Sequence, residues 1–391
     1  MSTPVPEDAV ALARLACTVV HWQHRHGRHD LPWQGTRSAY RIWLSEIMLQ
    51  QTQVTTVIPY YERFVARFPD VATLAAAGLD EVMRHWAGLG YYARARNLHA
   101  CARRVVDEHQ GRFPEKAAAL AQLPGIGRST AAAIAAFTHG ERNPILDGNV
   151  RRVLARVFAV RGPATREPAL SRLWSLAGQA LEQAPDTLDM RAYTQGLMDL
   201  GALVCTRRRP DCAHCPLQAV CQARHLGLQD TLPQSARRPP LPQQHCIQMI
   251  WQSGAGILLE RRPESGIWGG LWSLPQLEDQ DALTLALARR GLHKDAAGQL
   301  DSLVHTFTHF RLHIDLWHAP LAGPRTTAEP AGMRWVELND LGEYALPSPV
   351  QRLLERNLSR LRHPAAGDGD ECSSESRRQC PGSAGPYPHS S

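Results

Sequence analysis

The chain has 391 residues, 43% of them hydrophobic and 20% charged, with a formal net charge of +6 at pH 7. That length suffices for two domains with sizeable cores, and no apolar run reaches the roughly 18–20 residues that would span a bilayer. The charge is uneven: residues 1–225 carry 27 Lys and Arg against 19 Asp and Glu, and the remainder carries 16 against 18. A basic half of this kind favours a phosphate-rich partner through counterion release. The N-terminus carries Glu7 and Asp8 and lacks the basic-then-apolar pattern of a secretion signal. Five of the nine cysteines are scattered. The expectation is a soluble intracellular protein in a reducing compartment, without a disulfide framework.

Taken in chain order, residues 6–225 read as nearly all helix. Leu44, Ile47, Met48 and Gln51 follow helical spacing, as do Leu98, Cys101, Ala102 and Val105, then Leu173, Leu176, Ala177, Ala180 and Leu181. Breakers at Pro32, Pro69, Gly88–Gly90, Pro114, Pro124, Pro144, Gly162-Pro163 and Pro185 divide the run into around ten helices. Residues 226–245 are proline-rich and semi-extended. Beyond them Ile247–Trp251 and Ile257–Leu259 flank Gly254 and Gly256 as a hairpin. Leu303–His309, Leu312–Trp317 and Met333–Val336 read as further strands, and Ala282–Arg290 and Val350–Leu361 as helices. The expected division is a helical domain over 1–204, a cysteine loop over 205–225, a linker over 226–245, an α+β domain over 246–362 and a disordered tail over 363–391.

Three constellations carry chemistry. The first is Leu123-Pro-Gly-Ile-Gly-Arg-Ser-Thr130, between two helix-like stretches. A bare Pro-Gly-x-Gly recurs by chance. Here Gly125 and Gly127 stand at a helix start, where exposed N–H groups and the helix dipole favour an anion, so the turn suits a nucleic-acid phosphate. The second is a pair of carboxylates. Glu46 sits in an otherwise apolar helix, where desolvation keeps a carboxyl protonated and ready to act as a general acid. Asp147, before Gly148-Asn149, would stay ionised at a helix start. One protonated and one ionised acid is the division of labour of glycosidic cleavage. The third is Cys205, Cys212, Cys215 and Cys221, spaced by six, two and five residues. Four thiolates in one compact loop suit a structural [4Fe–4S] cluster better than the two close pairs of a zinc site.

Together these residues resemble the helix-hairpin-helix DNA glycosylases, and within them the MutY family of adenine DNA glycosylases. Leu31-Pro-Trp33, the run Trp43–Gln53, the run Gly88–Asn97, Leu123–Ala131, Ile145–Val150 and the cysteine quartet match in order over residues 6–225. The resemblance implies an enzyme that flips adenine mispaired with 8-oxoguanine or guanine out of double-stranded DNA and excises it. Glu46 would protonate adenine N7, and Asp147 with Asn149 nearby would stabilise the sugar cation or form a transient covalent bond. Gln50, Gln51 and Tyr91 match residues that wedge into the duplex, and Ser129 a position near Asp147. Leu31, Trp33, Gln34 and Gln195 match positions around the flipped base. Trp268–Pro275 resembles a Nudix-like domain that reads 8-oxoguanine, with Phe307, Thr308 and His309 as the reading loop. Many members have Ser where this chain has Thr308. The carboxylate set of a pyrophosphatase does not follow Pro275, so that activity is expected to be absent.

Two other readings compete. An endonuclease III-like enzyme would excise oxidised pyrimidines through a nucleophilic Lys, but residues 117–225 contain none and the position holds Ser129. A non-catalytic DNA-binding protein would not need both acids. The expectation is therefore a monofunctional enzyme, a monomer, in a bacterial cytoplasm at the nucleoid.

Overall fold

The computed structural model of the chain describes residues 6–236, 239–321 and 331–362. The tail over 363–391 lies outside the described residues. Up to His225 the chain is helical: α1 (Pro6–His26), α2 (Ala39–Leu49), α3 (Val54–Arg67), α4 (Val71–Ala76), α5 (Leu79–Trp86), α6 (Ala93–His109), α7 (Ala117–Leu120), α8 (Arg128–His139), α9 (Gly148–Val157), α10 (Ala169–Glu182), α11 (Met190–Asp199) and α12 (Gln222–His225). A π-helical turn, Leu200–Val204, continues α11. Helix α2 ends at Leu49, so Gln51 lies past the helix despite its spacing. Gln51 instead takes a left-handed backbone, φ +58°.

The helices bury two cores. One gathers α2 to α8 around Trp43, Phe64, Phe68 and Trp86. The other packs α1 against α9, α10 and α11 through Leu15, Val19, Leu154 and Leu173. Gly196 lets α11 approach α1, because a Cβ there would stand 2.7 Å from Val19 Cγ1. Residues 226–236 return to the helical unit: Arg156 Nε donates to Leu232 O, and Gly162 N donates to Gln234 Oε1.

The rest is a mixed sheet. Its strands are β1 (Gln243–Ser253), β2 (Gly256–Arg261), β3 (Trp272–Ser273), β4 (Gln276–Leu277), β5 (Gly298–Thr306), β6 (Arg311–Pro320) and β7 (Met333–Glu337), in the order β3-β2-β1-β6-β5, with β4 on β1 and β7 on β2. Strands β1 and β6 run parallel from Gln243↔Arg311 to Gln252↔Pro320. The alternation along β1 splits its side chains between two faces. Cys246 and Ile250 join the large core shared with the helical unit and α14 (Ser348–Arg362). Ile247, Met249 and Trp251 face α13 (Gln280–Arg289). The two-residue strands β3 and β4 are too short to leave a period in the sequence. Strand β5 stops at Thr306, so Phe307–His309 form a turn rather than the strand end their composition predicts.

Sheet and helices meet through α5 and α6. Arg261 pairs with Asp80 at 2.7 Å, Arg84 pairs with Glu343, and Arg96 Nη1 donates to Gly269 O at 2.6 Å.

Candidate active site

Helix α2 is buried nearly all round: Tyr40, Ile42, Trp43, Leu44, Ser45, Ile47 and Met48 all face protein. Glu46 is the one acid on it and is half-buried. It lines a cavity of about 640 Å³ together with Trp33, Gln34, Ser45, Phe137 and Gln195. Burial pushes its carboxyl up to about 8, and the nearby charge of Asp147 adds to the rise. Glu46 therefore holds its proton at neutral pH.

Asp147 caps α9. Its Oδ1 accepts from Val150 N at 2.7 Å, which fixes the side chain. The segment before it is fixed as well, because Ser129 Oγ accepts from Leu146 N at 2.9 Å. Its carboxyl is less acidic than that of an ordinary helix cap. Burial pushes the Asp147 carboxyl up, opposed by hydrogen bonds from Val150 N and Asn149 N and by the Arg151 and Arg152 charges. Desolvation outweighs the helix end because the acid faces protein rather than water. The two acids titrate as a pair in which Glu46 keeps the proton.

Asn149 lies in the first turn of α9, and its Oδ1 accepts from Arg152 Nη2 at 2.9 Å. Arg152 also donates to Gly201 O and Cys205 O, at 2.6 and 2.8 Å. Gly201 has to be glycine, since a Cβ would fall 2.6 Å from Asn149 Cβ. Neither Arg152 nor Gly201 stands out in the sequence; the π-helical turn at the end of α11 brings Gly201 beside Arg152 and Asn149 on α9.

The cavity wall is hydrogen-bonded throughout. Gln34 Oε1 accepts from Leu31 N at 3.1 Å and Gln34 Nε2 donates to Arg28 O at 2.9 Å. Leu31 itself is not among the lining side chains. Fully buried Asp199 accepts from Arg28 Nε at 2.7 Å and from Gln195 Nε2 at 2.9 Å. Arg28, Gln23 and Arg191, which line the cavity, and Asp199, which braces Arg28 and Gln195, escaped the sequence reading, because polar residues near helix ends carry no signal of facing a shared cavity.

The hairpin comprises α7, the turn through Gly127, and α8. Gly125 has φ +76° and a Cβ there would meet Asn97 Cβ at 2.8 Å, so both backbone and space demand glycine. Gly127 has an ordinary φ of −84° and open space around its Cβ position at the N-terminus of α8. Gln50 Nε2 reaches Thr130 Oγ1 on α8 at 3.5 Å. Gln51 and Tyr91 both carry positive φ and both are exposed, Tyr91 by 48%.

Cys205, Cys212, Cys215 and Cys221 line one small cavity with Arg156, Leu200, Leu217 and Arg224. Arg156 Nη1 donates to Cys205 Sγ at 3.3 Å. Asp8, on α1, accepts from Arg172 and from Gln222, both at 2.8 Å, and so braces the helix that follows Cys221. Among the described residues, no group of three or more His, Cys, Asp or Glu is gathered as a single-ion site would require.

Phe307, Thr308 and His309 form the turn between β5 and β6, closed by Phe307 N to Phe310 O at 2.9 Å. Phe307 stacks on Phe310 at 4.6 Å and tilts against Trp268 at 5.7 Å. Thr308 and His309 are exposed. They are placed on a different unit from the two acids.

Comparison with known proteins decides the family. Residues 44–179 match the HhH-GPD superfamily base excision DNA repair protein, and residues 246–356 match the NUDIX domain. An adenine DNA glycosylase of Buchnera aphidicola is 34% identical over 86% of this chain and 95% of its own length. The human adenine DNA glycosylase is 33% identical over 88% of this chain and 74% of its own. The chain belongs to the adenine DNA glycosylase family. Among solved structures, a thermostable thymine-DNA glycosylase matches 56% of the chain at 27% identity, with a TM-score of 0.49. Family membership makes the chain a DNA N-glycosylase of base excision repair, which displaces the endonuclease III-like and non-catalytic readings. Among the described residues no helix is long and apolar enough to cross a membrane.

Proposed function

We propose that the chain removes adenine mispaired with 8-oxoguanine, or with guanine, from duplex DNA. The observation that carries this reading is Glu46: a carboxyl raised to about 8 on the wall of a cavity of about 640 Å³, with Asp147 close enough to raise it further. A flipped adenine enters that cavity, between Trp33, Gln34 and Gln195. Glu46 gives its proton to adenine N7, which turns the base into a leaving group. The C1′–N9 bond breaks with its electron pair leaving on the base, and Asp147, supported by Asn149, faces the positive charge that develops on the sugar. Water completes the exchange at C1′. With Ser129 where a strand-cutting enzyme needs a nucleophilic Lys, the product is an intact strand carrying an abasic site.

The hairpin glycines and the N-terminus of α8 take the phosphate backbone. Gln50, Gln51 and Tyr91 enter the duplex beside the target, and Phe307, Thr308 and His309 read the opposing 8-oxoguanine. Cys205, Cys212, Cys215 and Cys221 hold a [4Fe–4S] cluster; an all-thiol set around one arginine-edged cavity fits that group. When bound, the cluster supplies a rigid crosslink for the loop behind α9.

Single-turnover assays on duplexes holding adenine opposite 8-oxoguanine, guanine or thymine test the reading. It predicts adenine release from the first two, with strand breaks appearing only after alkali. Cluster-replete protein that releases no adenine from either mispair would overturn it.

A further inference from the structure

Arg94 is the least expected buried charge in the helical unit. It stands in the first turn of α6, 8% exposed, and its guanidinium meets oxygens of backbone and hydroxyl groups rather than a carboxylate. Nη1 donates to Ile47 O, Met48 O and Gln50 O at 3.0, 2.6 and 2.6 Å. Nη2 donates to Thr52 Oγ1, Leu89 O and Gly90 O at 2.9, 3.4 and 3.3 Å. The same group lies over the rings of Trp86 and Tyr91, 5.3 and 5.4 Å from their centroids. Burying a cation without an anion is costly, and Arg94 offsets that cost only by satisfying many acceptors at once.

Apart from Ile47 O and Met48 O, in the last turn of α2, those acceptors belong to two loops distant in sequence. One follows α2 and carries Gln51 at φ +58°; the other precedes α6 and carries Tyr91 at φ +50°. A left-handed backbone at a residue other than glycine is unfavourable and persists where the surroundings over-determine it. The planar fork of Arg94, bridging the carbonyls on either side, is what over-determines both loops. Its charge also sits favourably at the C-terminal end of α2, the negative end of the helix dipole.

We propose that Arg94 is a positioning residue for base flipping: it clamps the Gln50–Thr52 and Leu89–Tyr91 loops together, so that Gln51 and Tyr91 meet the duplex as one preformed wedge. The proposal rests on the reading that these two side chains enter DNA. Preformation matters because a wedge whose loops must first order would lose part of its binding free energy to that ordering.

The test uses the full chain, loaded with its cluster, and a duplex carrying 2-aminopurine beside the target adenine to report unstacking. Arg94→Met should lower the unstacking amplitude and slow single-turnover excision by roughly tenfold or more, since small misplacements remote from the chemistry can cost this much. Arg94→Lys should restore little, because a point charge cannot bridge two sets of carbonyls. Joined to Tyr91→Ala, Arg94→Met should slow excision by no more than about twofold beyond Tyr91→Ala alone, since both act through one wedge. Adenine in an unpaired bulge, which needs little wedging, should be excised by Arg94→Met at close to the parent rate. Parent-like unstacking with a fully additive double mutant would overturn the clamp. Parent-like unstacking by Tyr91→Ala and Gln51→Ala would instead overturn the wedge reading on which it rests.

Discussion

The wall of the cavity around Glu46 and the turn at Phe307–His309 are built on opposite plans. Around Glu46 the polar groups are held by protein: Gln34 bonds at both ends of its amide, Asp199 is shared by Arg28 and Gln195, and Asp147 is locked as a helix cap. At the turn, Phe307 and Phe310 form a packed aromatic base, while Thr308 and His309 stand exposed, His309 with its ring against Phe310 at 4.8 Å and its Nδ1 3.3 Å from Thr308 Oγ1. The difference follows from what each must do. Stabilising a developing charge requires dipoles fixed beforehand, in a place that water does not screen. Reading a base that arrives with the duplex requires groups free to meet it. Substitutions in the cavity wall should therefore change the rate of bond breaking, and substitutions in the turn should change the choice of partner base.

The sharpest test of that contrast is Glu46→Gln. The amide keeps the shape and loses the proton, so excision should fall by about 10²–10⁴, the range of general acid catalysis, with duplex affinity retained. A loss of binding equal to the loss of rate would break the comparison. Glu46 also sets a pH signature. With its carboxyl at about 8 against an ordinary 4.5, the parent's single-turnover rate should be flat near neutrality and decline as pH rises through about 8. The sign for stability is the same. A carboxyl raised by folding favours the folded state at low pH, and that advantage is lost as pH rises from 4.5 to about 8. Glu46→Gln should flatten that slope in thermal melts as well as slowing excision. Next comes Asp147→Asn, whose Oδ1 can still accept from Val150 N. It should melt like the parent and excise about 10²–10³ more slowly, the scale of losing one fixed electrostatic contact to the transition state.

How much of this was legible depended on whether the cue is local. Glu46 was legible as an acid in an apolar helix, Gly125 as a turn glycine, and the four cysteines as one loop, because each signal lies within a few residues. The two units and most strands were legible from period and punctuation. The two-residue strands β3 and β4 were not, since two residues show no alternation. Arg94 and Arg152 look like ordinary surface arginines in sequence. Their roles arise from carbonyls more than forty residues away, those of Ile47 and Met48 for Arg94 and of Gly201 and Cys205 for Arg152. The rise of the Asp147 carboxyl was also invisible, because a helix-cap motif says nothing of how deeply the cap is buried.

Two smaller effects sharpen the contrast at its edges. Ser129→Ala removes the acceptor of Leu146 N, one residue before Asp147. An unmet partly buried N–H costs about 1–3 kcal/mol, and if part of that appears as misplacement of Asp147 the rate should drop by roughly tenfold. Duplex affinity should not change, since Ser129 is half-buried and already engaged. Thr308→Ala should leave the rate on guanine mispairs untouched and narrow the preference for 8-oxoguanine by about two- to tenfold, the worth of one hydrogen bond. Thr308→Ser should match the parent, because the proposed contact to the lesion is made by the hydroxyl, which Ser keeps. A rate loss shared equally by both mispairs would place Thr308 with the catalytic wall and erase the distinction between the regions.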